Sequence, residues 1–179
     1  MGALARMRSR GAQFGRDQRA ATAIEFGIVA LPFVALTFAI LETALLFFAG
    51  QTLETAVDNS ARLIRTGQAQ QQGMTAASFK QSICSQVGVM FDCTNGLWLD
   101  VETYPNFASI GLTPPVQNGI LGTANFKFNM GSGGDIVVVS AYYEWPTFAH
   151  ILGLNYANLA DGNHLLAATA AFKNEPFPW

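Results

Sequence analysis

The sequence predicts an α+β protein: a long N-terminal helix, transmembrane in its first part and amphipathic in its second, followed by a small antiparallel β-sheet head domain. Three observations predict it. Phe26 to Leu41 is a run of 16 residues without a charge. Leu46, Gly50, Leu53, Val57, Ala61 and Ile64 then recur at spacings of three and four, the period of a helix face. Further on, "LWLDVETY" (Leu97 to Tyr104) and "DIVVVSAYYEW" (Asp135 to Trp145) have the alternation and the β-branched and aromatic density of strands.

The apolar run sets the domain organisation. From Phe26 to Gly50 there are 25 residues with Glu42 as the only charge, enough for the roughly 20 residues that a bilayer requires. Arg6, Arg8, Arg10, Arg16 and Arg19 precede it and make up half of all Lys and Arg. Basic residues favour the cytoplasmic flank, so a single-pass topology is expected, with residues 1–20 inside and the chain beyond about Gly50 outside. An ordinary secretory signal has an apolar core of about 7–15 residues and a small-x-small cleavage site. This run is longer, and "FFAGQ" is a poor site.

Beyond the bilayer the helix is expected to continue to Thr66. Asp58 lies four residues before Arg62, and Gly67 stands where a left-handed cap falls. A helix from Ala21 to Thr66 measures roughly 69 Å, about twice the hydrocarbon thickness, so its second half is expected to project as an amphipathic stalk. Pro32 should kink the span locally.

Residues 67–179 then form the extracytoplasmic head. "QAQQQGMTAAS" (Gln68 to Ser78) reads as a loop and Ala76 to Val87 as a short helix. "TANFKFNM" (Thr123 to Met130) reads as one arm of a hairpin with the 135–145 strand, Gly131, Gly133 and Gly134 supplying positive φ at the turn. "HLLAATAAFKNEP" (His164 to Pro176) is ambiguous, because its alanines favour helix while Leu165, Ala167, Thr169, Ala171 and Lys173 also share one face of a strand.

Composition excludes several functions. Without residues 1–20 the chain has five basic against eleven acidic side chains, a formal charge of −6, so it offers no basic face for nucleic acid. His150 and His164 are each isolated from cysteines and read as lacking a carboxylate at a ligand spacing, so neither a metal site nor a catalytic triad is expected. "GSGGD" lacks the lysine of a phosphate loop. Trp98, Tyr142, Tyr143, Trp145 and Phe148 fit a core or a ligand pocket. No catalytic residue, cofactor or metal is indicated, and an enzyme is not expected. Cys84 and Cys93 are the only cysteines and, in an oxidising compartment, read as one short-loop disulfide.

Two further features concern helix contacts. Ala35, Ala39 and Thr43 make a small-x-x-x-small ridge, and Ala23 with Gly27 begins another; such surfaces let helices approach closely in lipid. Glu25 sits at the mouth of the span. An ionised group in a membrane helix costs up to ~2.5–3.5 kcal/mol at the centre and usually has a partner.

These residues carry a resemblance. "AATAIEFGIVALPFVALTFAILETALLFFAGQTLETAVDNSARLIRTG" (Ala20 to Gly67) resembles the amino-terminal region of the TadE-like family, the minor pilins or pseudopilins of the tight-adherence (Tad) type IV pilus. "YYEWP" and "LLAATAAFKNEPF" resemble the family's closing strands and its ending, which implies a short apolar helix after Pro146 and a strand from Leu165 to Lys173. The resemblance implies a pilin-like subunit held in the inner membrane, with its head in the periplasm. It also implies a basic leader cut by a prepilin peptidase between Ala20 and Ala21, leaving Glu25 fifth and Phe26 sixth in the mature chain. The residue before the cut is usually glycine in the family; here it is Ala20. Glu42 matches a glutamate common in the family's first helix. Implied partners are the peptidase, other pilins, the Tad assembly platform and membrane lipid. The rival readings are an uncleaved bitopic protein whose head binds a ligand or partner, and a secreted enzyme behind a long signal.

Overall fold

The computed structural model describes residues 18–111, 114–148 and 156–177, the side chains of residues 18–21 excepted. The chain is α+β, a long apolar N-terminal helix followed by a small antiparallel sheet domain. It divides into two compact units, residues 1–41 and 42–179.

Helix α1 (Gln18–Arg65) has 48 residues and includes Pro32. In the first unit its large apolar side chains are bare: Phe26, Leu31 and Phe33 are 73%, 75% and 67% exposed. The 18-residue apolar window has a mean hydropathy of 2.3 and is 6% buried. Exposed apolar surface of this extent is not tolerated in water, and this is one helix long and apolar enough to cross a membrane. The Thr37 hydroxyl donates to the Phe33 carbonyl at 2.8 Å, so it brings no unpaired polar group into that surface.

The second unit opens with the rest of α1. Here the helical face read from the sequence is correct, but the projecting stalk is not. Leu53, Val57, Ala61 and Ile64 are at most 3% exposed and belong to one core with Phe79 and Ile83, Val101 and Val139. A half-apolar helix beside a half-apolar sheet gains about 25 cal/mol for each Å² of apolar surface it covers, so the amphipathic half is a core element of the head.

Gly67 (φ 75°) ends the helix and caps α2 (Gln68–Gln71), a single helical turn where a loop was expected. α3 (Ala76–Val87) occupies the range predicted. A capping box joins Thr75 and Ser78, and Phe79, Ile83 and Val87 face the core. Cys84 and Cys93 form a disulfide with Cα atoms 5.9 Å apart.

The sheet has three antiparallel strands in the order β1 (Leu97–Tyr104), β4 (Ile136–Pro146), β5 (Asn163–Lys173). β5 settles the ambiguous segment as a strand. Its residues Leu166, Ala168 and Ala170 enter the helix-side core, while Ala167, Thr169 and Ala171 stay exposed. β2 (Val116–Gln117) and β3 (Ile120–Leu121) form a small hairpin about Asn118 (φ 53°) and Gly119 (φ 74°), the positive-φ pair of a type I′ turn.

The hairpin expected between residues 123–130 and the long strand is absent. Both edges of β4 are already taken, by β1 and β5. Residues 127–129 instead run beside β1: Val101 donates to the Lys127 carbonyl at 2.9 Å and accepts from Asn129 at 2.8 Å, with a parallel bridge to Phe128. The glycine turn survives in altered form. Gly131 and Gly134 have positive φ but Gly133 does not; a Cβ there would lie 2.9 Å from the Phe177 nitrogen, so Gly133 admits the tail.

The tail is tied by Asn174, which is 2% exposed and whose side-chain nitrogen donates to the Met130 and Ser132 carbonyls, each at 3.0 Å. Glu175 donates its backbone N–H to the Arg65 carbonyl at 2.9 Å, fastening the last strand to the end of α1. The short helix expected after Pro146 lies on residues outside those described, as does the leader before Gln18.

Candidate assembly site

The expected processing bond, Ala20–Ala21, lies three residues into α1. Glu25 follows one helical turn after Ala21 and is exposed, with no hydrogen bond or ion pair among the described side chains. Phe26, Ile28 and Val29 around it are also exposed, at 73%, 69% and 69%. A carboxylate bordered by bare apolar groups requires a cation or water at its headgroup-level end, and it lies near the positive amino end of the helix dipole. Ala23 and Gly27 are exposed on the same stretch, and nothing lies within 4 Å of where a Gly27 Cβ would stand.

The second small-residue ridge is placed differently. Ala35 is half-buried and Ala39 is 6% exposed. Thr43 donates its hydroxyl to the Tyr156 hydroxyl at 3.2 Å. Glu42 accepts the backbone N–H of Phe148 through Oε1 at 2.7 Å. Both contacts lie inside the sheet domain, and neither Tyr156 nor Phe148 is foreshadowed by a local pattern, since each is more than a hundred residues away in sequence.

The aromatic residues separate by sheet face. Tyr143 and Trp145 stack edge-on against Phe91, at 4.6 and 5.6 Å between ring centroids. The Tyr143 hydroxyl accepts the Asp92 N–H at 2.9 Å, which pins the disulfide loop to the sheet. Tyr142 is on the opposite face and stacks on Phe126 at 5.5 Å. Trp98 and Phe148 are exposed, at 39% and 67%. His164 lies against the Tyr156 carbonyl; His150 is outside the described residues. Among the described residues no group of three or more His, Cys, Asp and Glu could hold a metal ion.

Residues 20–62 match the family model described as TadE-like protein. The match covers the first helix from the expected processing bond to three residues short of its end. No curated protein matched the chain, and no solved structure did.

Proposed function

We propose that this chain is a minor pilin or pseudopilin of a Tad-type pilus, stored in the bacterial inner membrane and used in pilus initiation, biogenesis or adhesion. The observation that carries the proposal is a coincidence of position: the TadE-like match over residues 20–62 falls on the long helix that carries the exposed apolar segment, and Glu25 stands at the mouth of that segment. In this reading residues 1–20 are a cytoplasmic leader, residues 21–66 the assembly helix with its span at about 26–50, and residues 67–179 the periplasmic head. The protein acts through contacts, not catalysis. Its partners are the prepilin peptidase, other pilins and pseudopilins, the inner-membrane platform and lipid.

Processing and assembly meet at Glu25. Cutting after Ala20 creates an α-ammonium at Ala21, one helical turn from the carboxylate, and in a fibre the ammonium of a neighbouring subunit can take its place. That exchange fixes axial register as the subunit leaves the bilayer. The helix dipole adds a few tenths to about 1 kcal/mol in favour of the anion. Close approach of neighbours uses Ala23 and Gly27, with half-buried Ala35 further along the same helix; Ala39 is buried, and Glu42 and Thr43 are bonded within the chain.

The test is pilus output and the ratio of mature to precursor chain in cells carrying Glu25→Gln or Glu25→Asp. Glu25→Gln should stay inserted and cleaved yet fail to enter pili, and Glu25→Asp should be intermediate because its arm is shorter. Normal piliation with Glu25→Gln would reduce the glutamate to a tolerated interfacial residue.

A further inference from the structure

The sheet face turned away from α1 holds a groove that the assembly reading does not use. It encloses about 510 Å³, between the outward residues of β1 and β4 and the segment that carries β2 and β3; ligand pockets run from about 300 to 1,000 Å³. The strand register sets its polar wall, because Asp100 pairs with Ser140 and Glu102 with Val138, placing two carboxylates and a hydroxyl in a row. Phe126, Ile120 and Pro115 form the opposite, largely apolar wall. Ile120 is 66% exposed, an apolar side chain held at an open rim.

The acids of this wall are already committed on one side. Asp100 Oδ1 accepts the Lys127 backbone N–H at 2.9 Å. Glu102 takes Lys127 Nζ at 2.8 Å through Oε1 and the Tyr104 hydroxyl at 3.2 Å through Oε2. Asp100 Oδ2 takes no hydrogen bond among the described residues, and the exposed amides of Gln117 and Asn125 likewise face the groove without protein partners. Burial pushes the Asp100 carboxyl up from the ordinary carboxylate range, and Lys127 holds Glu102 below it. The groove therefore presents several hydrogen-bonding groups, and among its charged groups only Asp100 lacks an ion-pair partner among the described residues.

Two carboxylates against one ammonium repel an anionic ligand. Glu102 is neutralised by its own lysine, and Asp100, whose charged form burial disfavours, offers a single free acceptor oxygen, Oδ2, which suits a hydroxyl donor better than a full cation. A ligand that matches both walls donates neutral hydroxyls to one side and lays an apolar ring face on the other. We propose that this groove is a binding site for a neutral saccharide, with Asp100 and Gln117 as its main hydrogen-bonding contacts and Phe126 beneath a sugar ring. The proposal is independent of the assembly reading, because the groove lies wholly in the sheet domain.

The test is isothermal titration of the full chain in a polyoxyethylene detergent, which carries no sugar headgroup. The probes are maltose, lactose and chitobiose, the longer oligomers maltoheptaose and chitohexaose, and glucosamine and glucuronate as charged comparators. At least one neutral sugar should bind with a Kd of about 1 mM or tighter. Equal affinity for dimer and oligomer assigns the groove to a free disaccharide, and a gain with length assigns it to a polysaccharide. Asp100→Ala should weaken binding about tenfold, the scale of one lost hydrogen bond to a charged acceptor. Gln117→Ala, at an exposed position that the fold does not depend on, should weaken it severalfold. No binding by any neutral sugar, binding by glucosamine or glucuronate alone, or unchanged affinity in a folded Gln117→Ala chain would overturn the proposal.

Discussion

Glu42 and Phe148 are joined across 106 residues of sequence, the carboxylate of the helix accepting the backbone N–H of the residue two beyond β4 at 2.7 Å. The contact closes the exit of the central strand onto α1 at the first residue of the sheet domain. It gives Glu42 a structural task inside the chain. Glu42→Ala should speed hydrogen exchange at the Phe148 amide and cost about 1 kcal/mol, below the roughly 1.5–3 kcal/mol of a buried charged acceptor because the site is exposed. Glu42→Gln keeps an acceptor oxygen and should lose less. Equal exchange in all three chains would show that the bond does not persist in solution.

The Cys84–Cys93 bridge closes a short loop between α3 and β1. Cys84→Ser should lower unfolding stability by roughly 2–3 kcal/mol on the loop-entropy model. The loss should appear first around Phe91, whose ring packs on Tyr143 and Trp145. Urea unfolding with tryptophan fluorescence, with and without reductant, measures it. Full labelling of both cysteines by a thiol reagent in unreduced protein would contradict the bridge.

Leu53 distinguishes a buried helix from a projecting one. It is fully buried with Phe79, Val101 and Val139 in the helix-side core. Leu53→Ala should destabilise the sheet domain by about 2–5 kcal/mol, the range for a core leucine left as a cavity. On a solvated stalk the same change is nearly silent. Proteolytic susceptibility of residues 67–179 in detergent separates these outcomes.

The ionic row on β1 has opposite signs at neighbouring positions. Glu102 is held below its ordinary range by Lys127, so its contribution is present above the unfolded carboxylate pKa and lost as pH falls through the folded one. Asp100 is raised by burial, so its cost is present at neutral pH and relieved as pH falls through its folded value. Lys127→Met should therefore destabilise slightly at about pH 7 and lose that effect below the Glu102 titration. Carbon-13 titration of the two carboxyls, with Asp100 above and Glu102 below their free values, checks the assignment. A Lys127→Met deficit that persists unchanged in acid would contradict it.

Local pattern made much of this fold legible. The 3.6-residue period of Leu46 to Ile64 marks a buried helix face whether the partner is a membrane or a sheet, so it predicted the helix but not what covers it. α3 and β1 were readable because their periods and flanking residues agree. The 123–130 segment misled because strand propensity does not reveal that both edges of β4 are occupied by β1 and β5. Asn118-Gly119 was a readable turn signal flanked by Val116 and Leu121, and it marks the β2–β3 hairpin. The Glu42–Phe148 bond and the groove between Asp100 and Phe126 depend on non-local register, which a single sequence does not encode in any short window.

The intact mass of the chain extracted from the cell envelope tests the central claim, that this is a leader-processed Tad pilus subunit. The account predicts a mature species beginning at Ala21, with residues 1–20 removed and the apolar helix retained. A membrane form that keeps residues 1–20 would instead describe an uncleaved bitopic protein, and a species cut after Gly50 a secreted one; either mass would contradict the account.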